Sequence, residues 1–201
     1  MKLKLDFYTR SNVLQIAKEI LGKILVTNIN GQLTSGIIVE TEAYNGIYDK
    51  ACHAYGGKVT PRNKVMYEEG GISYVYFCYG MHYLFNVVTN QKNIPDAVLI
   101  RGIIPYEGKE FIFQRISEKS MKKGVLNGPG KVTKALQIDK KLNGESLLGK
   151  KIWIEDDNIK INKKDIVVTP RIGVDYAGDD ALLPYRFLLK DETIKSIISS
   201  L

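Results

Sequence analysis

Apolar positions change their period several times along the chain, and each change marks an element. Leu14, Ala17, Ile20 and Leu21 recur at helical spacing. Ser11 ahead of them can cap a helix start and Gly22 behind them is a natural stop, so the spacing predicts a helix over 11–21. The run Ile24-Leu25-Val26, the dipeptide Asn30-Gly31 and the run Ile37-Ile38-Val39 read as a hairpin, because both turn residues tolerate positive φ. Residues 44–71 then lose all periodicity and fill with Gly, Asn, Pro and small polar residues, a connection of unusual length for a compact domain. Three β-branched and aromatic runs follow at 74–79, 84–89 and 97–104, and helical patterns at 107–118 and 131–137. Short strands around 152–154, 166–168 and 186–189 and an amphipathic C-terminal helix complete the pattern. Strands grouped together rather than alternating with helices predict an α+β fold: one domain over 1–201, built on a curved, mostly antiparallel sheet with flanking helices.

Size and composition fit that picture. A chain of 201 residues with 44% hydrophobic and 25% charged residues can bury a core without disulfides or a structural metal. No apolar run is long enough to span a bilayer, and the start of the chain lacks a secretory pattern, so a soluble cytoplasmic protein is expected. Cys52 and Cys78 are too few for a disulfide framework and are expected free. Cys78-x-x-x-His82 and Cys52-His53 lack the paired short spacings of a zinc site, so no metal is expected. A formal charge of +7 favours a polyanionic partner, since neutralising phosphates releases counterions.

The chemistry concentrates between residues 40 and 101. Alternation along a strand puts Glu40, Glu42 and Tyr44 on one face, bringing two carboxylates and a phenol to the mouth of the long loop. Taken alone, this also fits an exposed edge strand. Tyr74 and Tyr76 share a face and Tyr79 sits at a tip before Gly80; such rings stack on bases in nucleic-acid enzymes, or simply pack in a sheet. Thr60-Pro61-Arg62-Asn63-Lys64 is a stiffened loop with two cations and an amide suited to gripping phosphate, or a solvated turn. Asn127-Gly128-Pro129-Gly130-Lys131 opens a helix but lacks the length and ending of a nucleotide P-loop. Arg101 interrupts an otherwise buried-looking strand, and a buried arginine needs a carboxylate, for which Glu42 is a candidate.

In their order, these segments resemble the alkyladenine type of 3-methyladenine DNA glycosylase. The resemblance runs from Leu14 to about Lys190. Its most specific parts are Val39-Glu40-Thr41-Glu42-Ala43-Tyr44, His53, Gly56-Gly57, Thr60-Pro61-Arg62-Asn63, Tyr74-Val75-Tyr76 and Tyr79-Gly80-Met81, extended by Asn127-Gly128-Pro129-Gly130-Lys131 and Pro170-Arg171-Ile172-Gly173-Val174. The resemblance implies hydrolysis of the N-glycosidic bond of a damaged purine, such as 3-methyladenine, 7-methylguanine, hypoxanthine or ethenoadenine, flipped out of double-stranded DNA. It implies Glu42 as general base with Arg101 helping to hold the water. It also implies Tyr44, His53 and Tyr76 around the extracted base, Asn86 crowding the amino group of normal guanine, and Tyr79 intercalated in its place. Arg62, Asn63, Lys64 and Lys131 are then expected on the DNA backbone. No cofactor and no obligate protein partner are implied, and a monomer suffices for one lesion. Residues 89–96 are longer than the family pattern, which bears on the placement of Arg101. An ordinary glutamate is ionised at neutral pH, and pairing with Arg101 is expected to reinforce that. Two other readings use less of this pattern: a non-catalytic nucleic-acid-binding β domain, which needs the basic surface but not Glu42, and a metal-dependent hydrolase using His53, His82 and the cysteines.

Overall fold

The structure is a computed structural model that describes residues 1–78 and 80–201. Two strands form its axis. β2 (Gln32–Tyr44) and β5 (Asp96–Pro105) pair antiparallel from Gly36↔Pro105 to Tyr44↔Ala97. β1 (Ile24–Ile29) joins β2 through the turn at Asn30 and Gly31, whose φ values of 53° and 79° are those of a tight hairpin turn. After Ile37 the same edge of β2 is taken by β9 (Arg186–Leu189), which in turn pairs with β8 (Ile166–Thr169). Beyond β5 lie β4 (His82–Thr89) and β3 (Ser73–Cys78), with the two-residue β6 (Leu126–Asn127) on β5 further along. β7 (Ile152–Glu155) closes the other side against β1. All these pairings are antiparallel, as the grouped strands predict, and the sheet curls into a half-barrel.

Both faces of the sheet are covered. Along β5, Val98 and Ile100 enter the main core, where Phe85, Val87, Ala43 and Val75 also sit, while Ala97, Leu99 and Arg101 turn the other way. The main core is roofed by α2 (Val13–Glu19), with Ile16, Ala17 and Ile20 fully buried, and by α4 (Pro129–Ala135) with Val132 and Ala135. Thr41 turns into this side and donates to the Ala17 carbonyl at 2.8 Å. The helix expected over 11–21 starts later, because Asn12 rather than Ser11 caps it by accepting from the Gln15 amide. α1 (Leu5–Tyr8), α3 (Lys109–Arg115) and α5 (Asp191–Ser199) complete the α-helices among the described residues; no helix there is long and apolar enough to cross a membrane.

On the opposite face, residues 45–70 fold as a series of short 3₁₀ turns whose Cys52, Ala54, Val65 and Met66 pack on Tyr74, Val88 and Ala97. The long connection is thus an ordered wall with its own small core. It stands across the sheet face that carries the acidic residues.

Candidate active site

The site begins as a local fault in the β2–β5 ladder. Ile38 faces Ile103 and Glu40 faces Gly102, which leaves Val39 as an extra residue on β2. Thr41 then faces Ile100, which leaves Arg101 as an extra residue on β5. The two bulges cancel, and between them they aim Glu40, Glu42 and Arg101 at one another. Arg101 Nε lies 3.0 Å from Glu40 Oε1 and 3.3 Å from Glu42 Oε1. Gly102 permits the approach, since a Cβ there would stand 3.1 Å from that of Glu40.

Glu42 is fully buried. Its Oε2 accepts the Tyr44 hydroxyl at 2.8 Å and its Oε1 the Ile172 backbone N–H at 2.9 Å. Burial pushes the carboxyl above its ordinary range, opposed by the Arg101 charge, the Ile172 amide and the Tyr44 hydroxyl, and reinforced by the Glu40 charge. Pairing with Arg101 therefore does not make this carboxylate an unusually weak base, contrary to the simplest expectation from the sequence: the loss of water outweighs the gained cation.

Tyr44, Arg101 and Ile172, the partners of Glu42, border a cavity of about 1100 Å³ lined also by His53, Arg62, Tyr74, Tyr76, Asn86, Leu99 and Lys131, among others. The His53 and Tyr76 rings meet edge to face at 4.6 Å between centroids, and Tyr74 lies 5.3 Å from Tyr76. His53 Nδ1 is 2.8 Å from the Tyr74 hydroxyl, and burial, aided by the Arg62 charge, pulls the imidazole down to about 4. His53 is accordingly neutral at physiological pH. Asn86 faces Tyr74 across the ladder and donates its amide to the Tyr74 carbonyl at 3.3 Å.

The residues expected on a DNA backbone divide. The Arg62 guanidinium is exposed and sits 4.9 Å over the Tyr76 ring at the cavity, and Lys131 lines the cavity with its ammonium on the Ser120 carbonyl. Lys64 is exposed on the loop, away from the cavity lining. Asn63 is the correction. It is 1% exposed, and its side chain donates to the carbonyls of His53 and Lys58 and accepts from Thr60, so the amide is spent on tying the loop together and cannot reach a phosphate. Tyr79 lies outside the described residues. The long 89–96 segment is the β4–β5 hairpin end, closed by the Thr89↔Asp96 pair and turned by Asn90 and Asn93 at positive φ; it leaves the ladder intact, with Asn86 opposite Leu99 and Arg101 two residues on.

Several members of the site escape sequence reasoning. Arg171 is wholly buried between the Tyr44 and Tyr185 rings, at 4.9 and 5.2 Å, and forms a two-nitrogen pair with Asp49. Its neighbour Ile172 supplies the amide that binds Glu42. Arg186 on β9 gives its Nε to Glu40 Oε1 at 2.7 Å. The sequence carries two signals for them: Arg171 and Ile172 stand in the Pro170–Val174 segment of the family resemblance, and Arg186 leads an apolar strand, each arginine in want of an anion.

Among the described residues, no group of three or more His, Cys, Asp and Glu side chains is arranged to hold a metal ion. Cys52 is buried, and its thiol is pushed up to about 12 by that burial.

Comparison with known proteins accords with this geometry. The family model described as Methylpurine-DNA glycosylase (MPG) matches residues 6–193. A protein of Desulfitobacterium hafniense named "Putative 3-methyladenine DNA glycosylase" is 47% identical over 98% of both chains. Proteins of the same name from Chlamydia felis and Clostridium perfringens are 50% and 45% identical, covering 96% and 98% of this chain and 98% and 99% of their own. With a match across nearly its whole length, the chain belongs to the methylpurine-DNA glycosylase family, hydrolases acting on N-glycosyl bonds in DNA.

Proposed function

We propose that the protein excises alkylated purines from double-stranded DNA by a water that Glu42 activates, leaving an abasic site. The observation that carries the reading is the buried Glu42 carboxylate, hydrogen-bonded by the Tyr44 hydroxyl and the Ile172 amide and ion-paired with Arg101, three residues that line an aromatic cavity. A base stacked in the duplex cannot reach it, so the nucleotide must rotate out, at a cost of a few kcal/mol. The wall of Tyr44, Tyr76 and neutral His53 offers ring faces to the extruded base. Alkylation at a ring nitrogen makes that base cationic, which strengthens its attraction to the rings and weakens its glycosidic bond.

In the reaction the C1′–N bond breaks with its electron pair leaving on the base, which neutralises the alkylated ring. The water oxygen bonds to C1′, and its proton passes to Glu42. The carboxylate also faces the positive charge that grows on the sugar as the bond opens. Burial makes Glu42 a stronger proton acceptor than a solvated glutamate, while Tyr44 and Ile172 fix its orientation. Asn86, buried in the cavity wall, would crowd an exocyclic amino group on an unmodified guanine. Tyr79 would fill the vacated space in the helix, with Arg62, Lys64 and Lys131 on phosphates.

The test is release of free bases from methylated duplex DNA, comparing wild type with Glu42→Gln. The fold is expected to accept the substitution, since glutamine keeps one oxygen for the Ile172 amide and the Tyr44 hydroxyl can turn to accept from the new amide. Release is expected to fall by about 10²- to 10⁴-fold with DNA binding retained. Full release by the variant overturns the role of Glu42. No release by wild type from any alkylated purine favours a non-catalytic binding domain, and a borohydride-trapped protein–DNA adduct replaces water with an amine as nucleophile.

A further inference from the structure

We propose that Glu40, with Arg186 behind it, is a positioning residue that holds Arg101 in place and keeps Glu42 basic. The inference rests on Glu42 acting as the base. Glu40 is 5% exposed and would be an expensive charge to bury without a purpose in the fold or the site. Its Oε1 receives two arginines at once, Nε of Arg101 at 3.0 Å and Nε of Arg186 at 2.7 Å. Arg101 makes its approach to Glu42 through the same Nε, at 3.3 Å. One nitrogen thus stands between two carboxylates. The closer of the two, Glu40, draws off part of the cation that Glu42 would otherwise command alone.

The two bulges exist at this point and nowhere else along the β2–β5 pairing, and Gly102 supplies the space that lets Glu40 close on Arg101. Arg186 completes the balance. It comes from a third strand, opposite Glu42 in the β2–β9 register, and its Nη1 is anchored on the Thr169 hydroxyl at 3.3 Å. The charged and titratable groups around Glu42 are then Glu40 and Tyr44 on its own strand, Arg101 on β5, Arg186 on β9 and Arg171 in the neighbouring loop. Removing either outer member tips the balance in a known direction. Loss of the Glu40 charge removes a like charge and leaves Arg101 to Glu42, making Glu42 less basic. Loss of the Arg186 charge leaves Glu40 less neutralised, making Glu42 more basic.

The experiment is the pH dependence of single-turnover base release for wild type, Glu40→Gln and Arg186→Gln, with melting temperature as a control for folding. Glutamine at 40 still offers an oxygen to both Nε groups, so only the charge is lost. The acid limb is expected to move down by about one pH unit in Glu40→Gln and up by about half a unit or more in Arg186→Gln. A purely structural role lowers the melting temperature and leaves both limbs where they were, and that result overturns the proposal; so does movement of both in the same direction. If Glu40→Gln does not fold, the direction of the Arg186→Gln limb decides alone. Should Glu42→Gln retain full release, the reading of Glu42 as base fails instead. The balance is then tested by ¹³C titration of the Glu42 carboxyl in the same variants, where the same opposite shifts are expected and their absence refutes it.

Discussion

Replacing Arg171 by methionine removes the charge from the centre of the wall behind Tyr44 while keeping most of the side-chain length. In the native protein the Arg171 and Asp49 side chains are 0% and 1% exposed. The guanidinium pairs with both Asp49 oxygens and also donates to the carbonyls of Ala43, at 2.9 Å, and Asp180, at 3.1 Å. Methionine leaves the Tyr44 and Tyr185 rings in apolar contact but strands Asp49 with only the amides of Asn45 and Ala51, and takes a donor from each of the carbonyls of Ala43 and Asp180, the second of which keeps the Leu183 amide. Breaking one side of a buried pair costs about 3–5 kcal/mol. For a domain of this length that corresponds to a fall in Tm of about 6–20 °C, at about 2–4 °C per kcal/mol. Asp49→Asn should destabilise in the same sense, and the double variant should lose less than the sum by about 1.5 kcal/mol or more, since neither stranded charge remains. Urea and thermal denaturation of the four proteins measure the cycle. Base release at a temperature where the single variant is folded should also fall, because Arg171 fixes the neighbouring Ile172 amide on Glu42. A single-variant loss under about 1 kcal/mol, or additivity within about 0.5 kcal/mol, would refute the reasoning.

Three further outcomes follow from groups elsewhere. Burial, with a smaller push from Arg62, pulls His53 down to about 4, so the unfolded chain takes up a proton first as pH falls; its contribution to stability is complete above about 6.5 and lost from there down through 4. His53→Gln should flatten the stability profile over that window, as read by denaturation at fixed pH values, and an unchanged slope would contradict a neutral buried ring. Asp96 is pushed up to about 6 by burial, against the Asn90 amide at 2.9 Å, so its contribution is present below the ordinary aspartate range and lost as pH rises through 6. Asp96→Asn should therefore raise Tm at pH 8 relative to wild type and raise it less at pH 4; a gain independent of pH would argue against a buried charge. Gly108, at φ 64°, would place a Cβ 2.2 Å from the Leu33 carbonyl oxygen, so Gly108→Ala should cost at least about 2 kcal/mol in denaturation, and a neutral result would show that the start of α3 moves freely.

Much of this architecture is legible in the sequence because period and punctuation are local. Asn30-Gly31 announces its hairpin, and the runs at 84–89 and 97–104 become β4 and β5 nearly as written. Helix ends are read less well. Ser11 and Asn12 are equally good caps on paper, and only the Gln15 amide chooses between them. α4 starts at Pro129, earlier than the pattern from 131 suggests, since proline at a first turn costs nothing. Of the site, the joint face of Glu40, Glu42 and Tyr44 and the need of Arg101 for a carboxylate are visible from strand alternation and burial. The paired bulges are not, because each depends on the partner strand. Nor is the Asp49–Arg171 pair, whose members are 122 residues apart and meet only once β9 has been laid beside β2. Asn63 misleads for a related reason: a polar loop residue looks available until the loop closes around it.

The cancelling bulges also make misassembly self-revealing. With only one of them, everything beyond Glu40 would slip by one position against β5, and a slip of one exchanges the faces of a strand. Glu42 and Tyr44 would then be driven among Val98, Ile100 and the roof of α2, while Thr41 and Ala43 turned to the cavity. A chain paired that way would have to dissolve a carboxylate in oil, so it could not persist as a compact but inactive rival. Assembling the sheet and assembling the face that carries Glu40, Glu42 and Tyr44 are one event, and proofreading of the first comes free with the second.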